Sequence, residues 1–340
     1  MKDKIKVHFV RKVYGLGGGT ISGNIFEKLL ANYVELCGLD ESQVIHNYDG
    51  PLKKFKKPSV FVVNSWKFTC PACIQTTTYD GEICLKGSLF KCMNCYAHNK
   101  TFQTKTKREA MRGVSSLYYI KNKQRLSQLK KQENIVSISK SLRRVLEENG
   151  VRVTQAIYDP IDPIFLEKEK QTTNEKYFFH HGNYDWIHGV SLLIDSRKYT
   201  KHPLKMVGWG IYSDNVKKTD INSLGAIHDS IKVKELINNA YAYIYPCLHN
   251  NFGRSLIEAM ALGKPIIAIN RGFSKEIIEN WKSGILINPD PKELADAMQY
   301  LWDNEEEAKK MGENARKIAL NEFHPDVTFR EYLKLYRSLV

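Results

Sequence analysis

The sequence predicts two α/β domains, each built on a doubly wound parallel sheet. Three observations carry that prediction. Short buried-strand patterns, such as Ser59–Val63 (SVFVV), Tyr241–Tyr245 (YAYIY) and Pro265–Ile269, alternate with helical patterns along the chain. The 340 residues suffice for two domains, each with its own core. At Asp159–Pro163 (DPIDP) two prolines interrupt the alternation and mark a hinge.

Lys4–Val10 reads as the first strand, leading through Arg11–Thr20 (RKVYGLGGGT) into a helix over Ile21–Leu36. Gly17, Gly18 and Gly19 either let the backbone approach a ligand or form a bare tight turn. Neither the dinucleotide fingerprint nor a P-loop lysine accompanies them. Ser59–Val63 is the second strand. Beyond it Cys70-x2-Cys73 and Cys92-x2-Cys95, eighteen residues apart, have the spacing of a tetrahedral four-thiolate site for a structural zinc ion, with Cys84 able to replace one ligand. Disulfide and redox or iron–sulfur uses are the weaker readings of those thiols.

Lys100–Lys131 holds ten Lys/Arg against Glu109 alone, with Met111, Val114, Leu117 and Tyr118 at helical spacing. This predicts a basic amphipathic helix, either on an anionic membrane surface or packed with a solvated lysine face. Strand Asn134–Ser139, helix Lys140–Asn149 and strand Val153–Tyr158 complete the first half. In the second half, strands are expected at Lys176–His181, Leu204–Val207, Leu224–Ile227 and Gly284–Ile287. Helices fill Val233–Asn239, Pro291–Asp303, Glu305–Phe323 and Asp326–Leu339.

Charge divides unevenly between the halves. Met1–Phe165 carries 27 Lys+Arg against 14 Asp+Glu, and the remainder 24 against 23. The excess fits an anionic partner or a solubilising surface. The N-terminus passes directly into a strand without a secretory apolar region, and no apolar run approaches the roughly 20 residues that span a bilayer. The expectation is a cytoplasmic protein, peripheral on the inner face of the membrane.

The functional centre is expected at Tyr241–Ile269. There a buried strand, a loop and a helix bring Phe252, Gly253, Arg254 and Ser255 to a helix N-terminus, which favours an anion. Glu258 follows one turn later, and Ser255-x-x-Glu258 also reads as a capping box.

The segment PCLHNNFGRSLIEAMALGKPIIA resembles the signature of the family 4 retaining glycosyltransferases, which have the two-domain GT-B architecture. Val136–Gly150, Lys205–Gly210, Ala268–Ile278 and Gly284–Pro289 resemble further segments of that family, and the cysteine cluster resembles one found in a subset of it. The resemblance implies an N-terminal acceptor-side domain over 1–162 with a Cys-rich insertion at 70–95. It also implies a donor domain over 163–324 facing it across a cleft, and a helix over 325–340 crossing back. The implied activity is transfer of a hexose-type sugar from a nucleotide-sugar, with retention and without a catalytic metal, to a glycan or lipid-linked, phosphate-bearing acceptor.

By the same resemblance Glu258 meets the donor ribose, and Asn250 and His249 approach the sugar. Gly18, Gly19, Asn183, His188, Phe252, Gly253, Arg254 and Ser255 complete the donor site, with Asn64 on the acceptor side. Glu258, Asn250, His188 and Arg254 form the catalytic set.

The sequence departs from the family at charged positions. Asn250 replaces the first of two glutamates, Gly182-Asn183 and His188-Gly189 replace Gly-Arg and Lys-Gly, and Asn64-Ser65 replaces His-Asp. A catalytically weakened GT-B-like binding or scaffold protein is therefore the alternative. Nucleic-acid binding rests on charge alone and has no recognisable motif.

Overall fold

The computed structural model describes residues 4–11, 18–71, 84–98, 105–248 and 250–340. The chain divides into two compact units, Met1–Pro160 with Phe323–Val340, and Ile161–Glu322.

The first unit carries six strands: β1 (Lys6–Arg11), β2 (Glu35–Leu36), β3 (Val44–Tyr48), β4 (Ser59–Val63), β5 (Ile135–Ser137) and β6 (Gln155–Ala156). They lie in the order β2-β1-β3-β4-β5-β6, all parallel. The helices are α1 (Gly18–Leu30), α2 (Leu89–Ala97), α3 (Lys105–Leu129) and α4 (Lys140–Glu148). Gly18 and Gly19 thus open α1 rather than sit in a loop, while Gly17 lies outside the described residues. The helix expected to reach Leu36 stops at Leu30, and the chain then re-enters the sheet as β2.

Strand β3 has no clear apolar signature, because His46 and Asn47 interrupt VIHNY. Both are buried and both find partners, remote or local, although His46 Nε2 is left without one. Tyr336 Oη lies 2.6 Å from His46 Nδ1, and Asn47 bonds the Pro51 carbonyl and the Gly50 amide.

Helix α3 turns Val114, Leu117 and Tyr118 outward, against the packed reading with a solvated lysine face. Ser115, Asn122, Leu126 and Leu129 are buried, whereas Leu117 is 62% exposed and Val114, Tyr118 and Ile120 are exposed as well. The Asn122 amide donates to the Lys67 carbonyl at 2.8 Å, which explains why a polar residue can face inward.

The second unit repeats the plan with β7 (Phe178–His181), β8 (Leu204–Val207), β9 (Asn222–Ser223), β10 (Ala242–Tyr245), β11 (Ile266–Ile269) and β12 (Gly284–Ile287), in the order β12-β11-β10-β7-β8-β9, all parallel. The strand expected at Leu224–Ile227 is displaced to Asn222–Ser223, which pairs with Lys205 and Met206. The helices are α5 (Val190–Ser196), α6 (Ser213–Val216), α7 (Ser230–Asn239), α8 (Arg254–Ala261), α9 (Gly272–Ile277), α10 (Pro291–Asp303) and α11 (Glu305–Phe323). Ile244, Ile267, Ile269, Leu193, Met298 and Leu301 share one core between sheet and helices.

The final helix, α12 (Pro325–Arg337), packs on the first unit. Phe329 and Tyr332 meet Phe26 edge-on at 5.0 and 5.1 Å, and Thr328 Oγ1 donates to the Tyr158 carbonyl at 3.1 Å. Among the described residues no helix is long and apolar enough to cross a membrane.

The topology already points to a location. In the second unit the chain winds outward through β7, β8 and β9, then returns to the other side of β7 with β10. Ligands in open parallel sheets bind at such reversals, outside the C-terminal strand ends.

Candidate active site

At this reversal β7 ends in two histidines. His180 is buried, and its Nδ1–H donates to the Ile244 carbonyl at 3.1 Å, tying β7 to β10. Burial pushes its imidazole down to about 3, so it is neutral at physiological pH. His181 lies at the strand end with Nδ1 3.2 Å from Tyr243 Oη and Nε2 3.7 Å from Glu258 Oε2. Burial, then the nearby Arg254 charge, push it down to about 4.

The loop after β10 delivers the other partners. Glu258 is only 7% exposed, and its Oε1 lies 3.3 Å from Arg254 Nη2, one helical turn before it. Burial raises the carboxyl, Arg254 opposes that rise, and Asp162 adds to it. The capping-box reading is not realised. Gly253 is the N-cap of α8 without a side-chain cap, and Ser255 bonds Tyr243 instead. Glu258 is therefore turned into the Arg254–His181 cluster and does not cap the helix. Asn250 Nδ2 donates to Tyr245 Oη at 2.8 Å, which holds the amide over the end of β10.

The loop after β7 is fitted against the loop after β10. The Ile187 carbonyl accepts from Leu248 N at 2.9 Å and from Cys247 Sγ at 3.3 Å. Gly189, at φ +72°, is required there, since a Cβ would stand 2.0 Å from the Pro246 carbonyl oxygen. His188 does not supply an unopposed cation. Its Nδ1 and backbone N lie 2.7 and 3.0 Å from Asp185 Oδ1. Burial works to raise Asp185, but the His188 contacts outweigh it and hold the carboxyl below its usual range. Even a protonated His188 is therefore matched by a carboxylate.

Of the other expected residues, Asn183 is exposed, and Phe252 is buried against the Phe273 ring at 4.7 Å, a packing role. His249 lies outside the described residues. Gly18, Gly19 and Asn64 belong to the first unit. Asn64 follows β4, and its Nδ2 donates to Tyr48 Oη at 2.8 Å. Beside it Asp49, at φ +50°, accepts from Ser65 Oγ at 3.0 Å and pairs with Lys67 at 2.6 Å.

Cys70, Cys84 and Cys95 surround Cys92 closely enough that, after burial, their charges help push its thiol up to about 12. Cys73 lies outside the described residues, and among those described no three His, Cys, Asp or Glu are placed to hold a metal ion.

The sequence reading missed His181, Tyr243, Tyr245, Asp185 and the Asp49–Lys67 pair. The signal for His181 was present, namely two histidines closing an otherwise apolar strand directly before Gly182. Titration tests its placement. Between pH 6.5 and about 4 the unfolded chain binds a proton at His181 that the folded chain does not. Stability therefore falls as pH drops through that window, by up to about 1.4 kcal/mol per pH unit for this group. His181→Asn should flatten the dependence of the thermal midpoint on pH by one group's share. Parallel curves for the two proteins would contradict the placement.

Residues 163–318 match the family described as Glycosyl transferases group 1. The chain is similar to the O-antigen chain mannosyltransferase C of Escherichia coli, 26% identical over 182 residues, covering 50% of this chain and 49% of that protein. It is also similar to the N,N'-diacetylbacillosaminyl-diphospho-undecaprenol alpha-1,3-N-acetylgalactosaminyltransferase of Campylobacter jejuni, 24% identical over 216 residues, covering 57% and 56%. The chain spans about half the length of these curated relatives. Among solved structures, Anabaena HepE in complex with UDP superposes with a TM-score of 0.68 at 15% identity, covering 98% of this chain and all of that one. Residues 163–318 are thus similar to the Glycosyl transferases group 1 family, and the chain as a whole has the GT-B fold.

Proposed function

We propose that the chain transfers a sugar from a nucleotide-sugar donor to a glycan or lipid-linked acceptor, with retention of configuration. One observation carries the reading. A buried carboxylate, Glu258, sits between Arg254 and His181 at the strand reversal of residues 163–318, one turn inside a helix that no side chain caps at its N-terminus. Glu258 accepts from donor hydroxyls, while the α8 N-terminus and Arg254 take the charge that grows on the departing diphosphate. Asn250, fixed by Tyr245, offers an amide to the sugar hydroxyls. The relatives support the class of substrates: HepE is solved with UDP, and the C. jejuni protein is named for a diphospho-undecaprenol-linked substrate. The test is transfer of radiolabelled sugar from UDP-, GDP- and ADP-sugars into lipid and glycan extracts. Incorporation that Glu258→Ala lowers about 100-fold is expected, and incorporation unaffected by that change would contradict the reading.

The first unit's surface supports an anionic membrane as the acceptor's setting. Val114, Leu117 and Tyr118 are exposed at helical spacing on α3, and the exposed Lys121 and Arg125 follow on the same face. Leu117→Ser is expected to reduce co-sedimentation with phosphatidylglycerol vesicles several-fold. Equal recovery of both proteins would end this reading.

A further inference from the structure

Three lysines of the first unit converge on one cavity that has no acidic residue in its lining. The cavity, of about 300 Å³, is bounded by Lys86, Lys123, Leu126, Ser127, Lys130 and Asn149. Asn149, the C-cap of α4, forms its fixed wall. Its Nδ2 donates at 2.8 Å to both the Leu85 and Val145 carbonyls, which ties the segment bearing Lys86 to α4. Lys123, Leu126 and Ser127 come from the C-terminal part of α3, and Lys130 follows it.

Like charges gathered this way repel unless something opposes them. Among the described residues the side chains of Lys86 and Lys130 make neither an ion pair nor a hydrogen bond, and Lys123 stands over the Tyr119 ring at 5.3 Å. The fold supplies part of the compensation. Lys130 Nζ lies 2.9 Å from where a Gly150 Cβ would be, over the end of α4, and α3 also ends here. Two helix C-termini carry roughly half a negative charge each, so about two of the three positive charges remain unopposed. The volume is about ten times a water's share of the liquid, enough for a phosphate or diphosphate group.

The location separates this cavity from the acceptor side. Helices α3 and α4 end at it before the chain enters β5 and β6, so it lies toward the edge where strands begin. Asp49 and Asn64 lie at the opposite edge, beyond the ends of β3 and β4. We infer that the cavity is a binding site for a phosphate-bearing anion, distinct from the donor site, the phosphate being that of a small molecule or of a lipid headgroup.

Calorimetric titration of the full chain with inorganic pyrophosphate tests this, alongside short-chain phosphatidic acid kept below its micellar concentration. Saturable pyrophosphate binding is expected, weakened at least tenfold by Lys86→Gln with Lys130→Gln. It should be unchanged by Lys121→Gln with Arg125→Gln, which removes the same charge from another face of α3. Displacement of pyrophosphate by phosphatidic acid assigns a headgroup, and failure to displace it assigns a free phosphate; either supports the site. No saturable binding, undiminished binding in the cavity variant, or equal weakening in both variants would overturn it. Should the double variant unfold, Lys86→Gln alone, at an exposed residue, gives the reading.

Discussion

Replacing Glu258 by alanine is expected to weaken nucleotide binding and lower transfer about 100-fold, with the fold intact. The carboxylate is nearly buried, paired with Arg254 at 3.3 Å, with the His181 ring 3.7 Å away. A hydrogen bond from a donor hydroxyl to such a group contributes about 1.5–3 kcal/mol, and about 1.4 kcal/mol is a factor of ten. Stability should move the other way or not at all. Burial raises the Glu258 carboxyl, so the fold holds this charge at a cost. Glu258→Gln, which keeps the volume and removes the charge, is therefore expected to raise the thermal midpoint or leave it unchanged while losing activity. Arg254→Ala combined with Glu258→Ala should cost less than the two separate losses together, because the side chains form one unit. Full activity in Glu258→Ala would remove this carboxylate from the site.

Gly208→Ala should be among the most destabilising single changes in the second unit. Gly208 follows β8 at φ +154°, and a Cβ there would stand 1.9 Å from the Gly182 carbonyl oxygen and 2.6 Å from the Tyr184 ring. The obstacle is backbone of the loop bearing Asn183 and His188, which cannot move without shifting the site. A cost of about 3 kcal/mol is expected from strain and displacement. In a unit of this size that lowers the thermal midpoint by about 6–12 °C. Gly225 gives an internal comparison. It also has a positive φ, +71°, but an added Cβ meets nothing within 4 Å, so Gly225→Ala should cost only about 1 kcal/mol. Calorimetry of both variants measures the difference; equal midpoints would mean the close approach at Gly208 is relieved cheaply.

The alternation of strands and helices was legible wherever strands are uniformly apolar, as at Ser59–Val63 and Ile266–Ile269. It failed at β3, where burial of His46 and Asn47 depends on Tyr336, 290 residues away, and on a local turn. The site was legible as a loop and a helix start but not as a set of partners. Sequence spacing offered Ser255 as the natural partner of Glu258, whereas packing of β7 against β10 placed His181 and Tyr243 there. His188 stood in a cationic position by resemblance, and only the fold revealed Asp185 beside it. In α3 the helix was legible and its buried face was not, because Asn122 finds a backbone carbonyl from a distant segment. Contacts that cross the chain decided each of these cases.

The central claim is that the α8 N-terminus, Arg254 and Glu258 form a nucleotide-diphosphate site. Saturation-transfer NMR of the full chain with UDP, GDP and ADP tests it most directly. The account predicts transfer to the ribose and base protons of at least one of them, lost in Glu258→Ala. Absence of transfer to all three at millimolar concentration would contradict it.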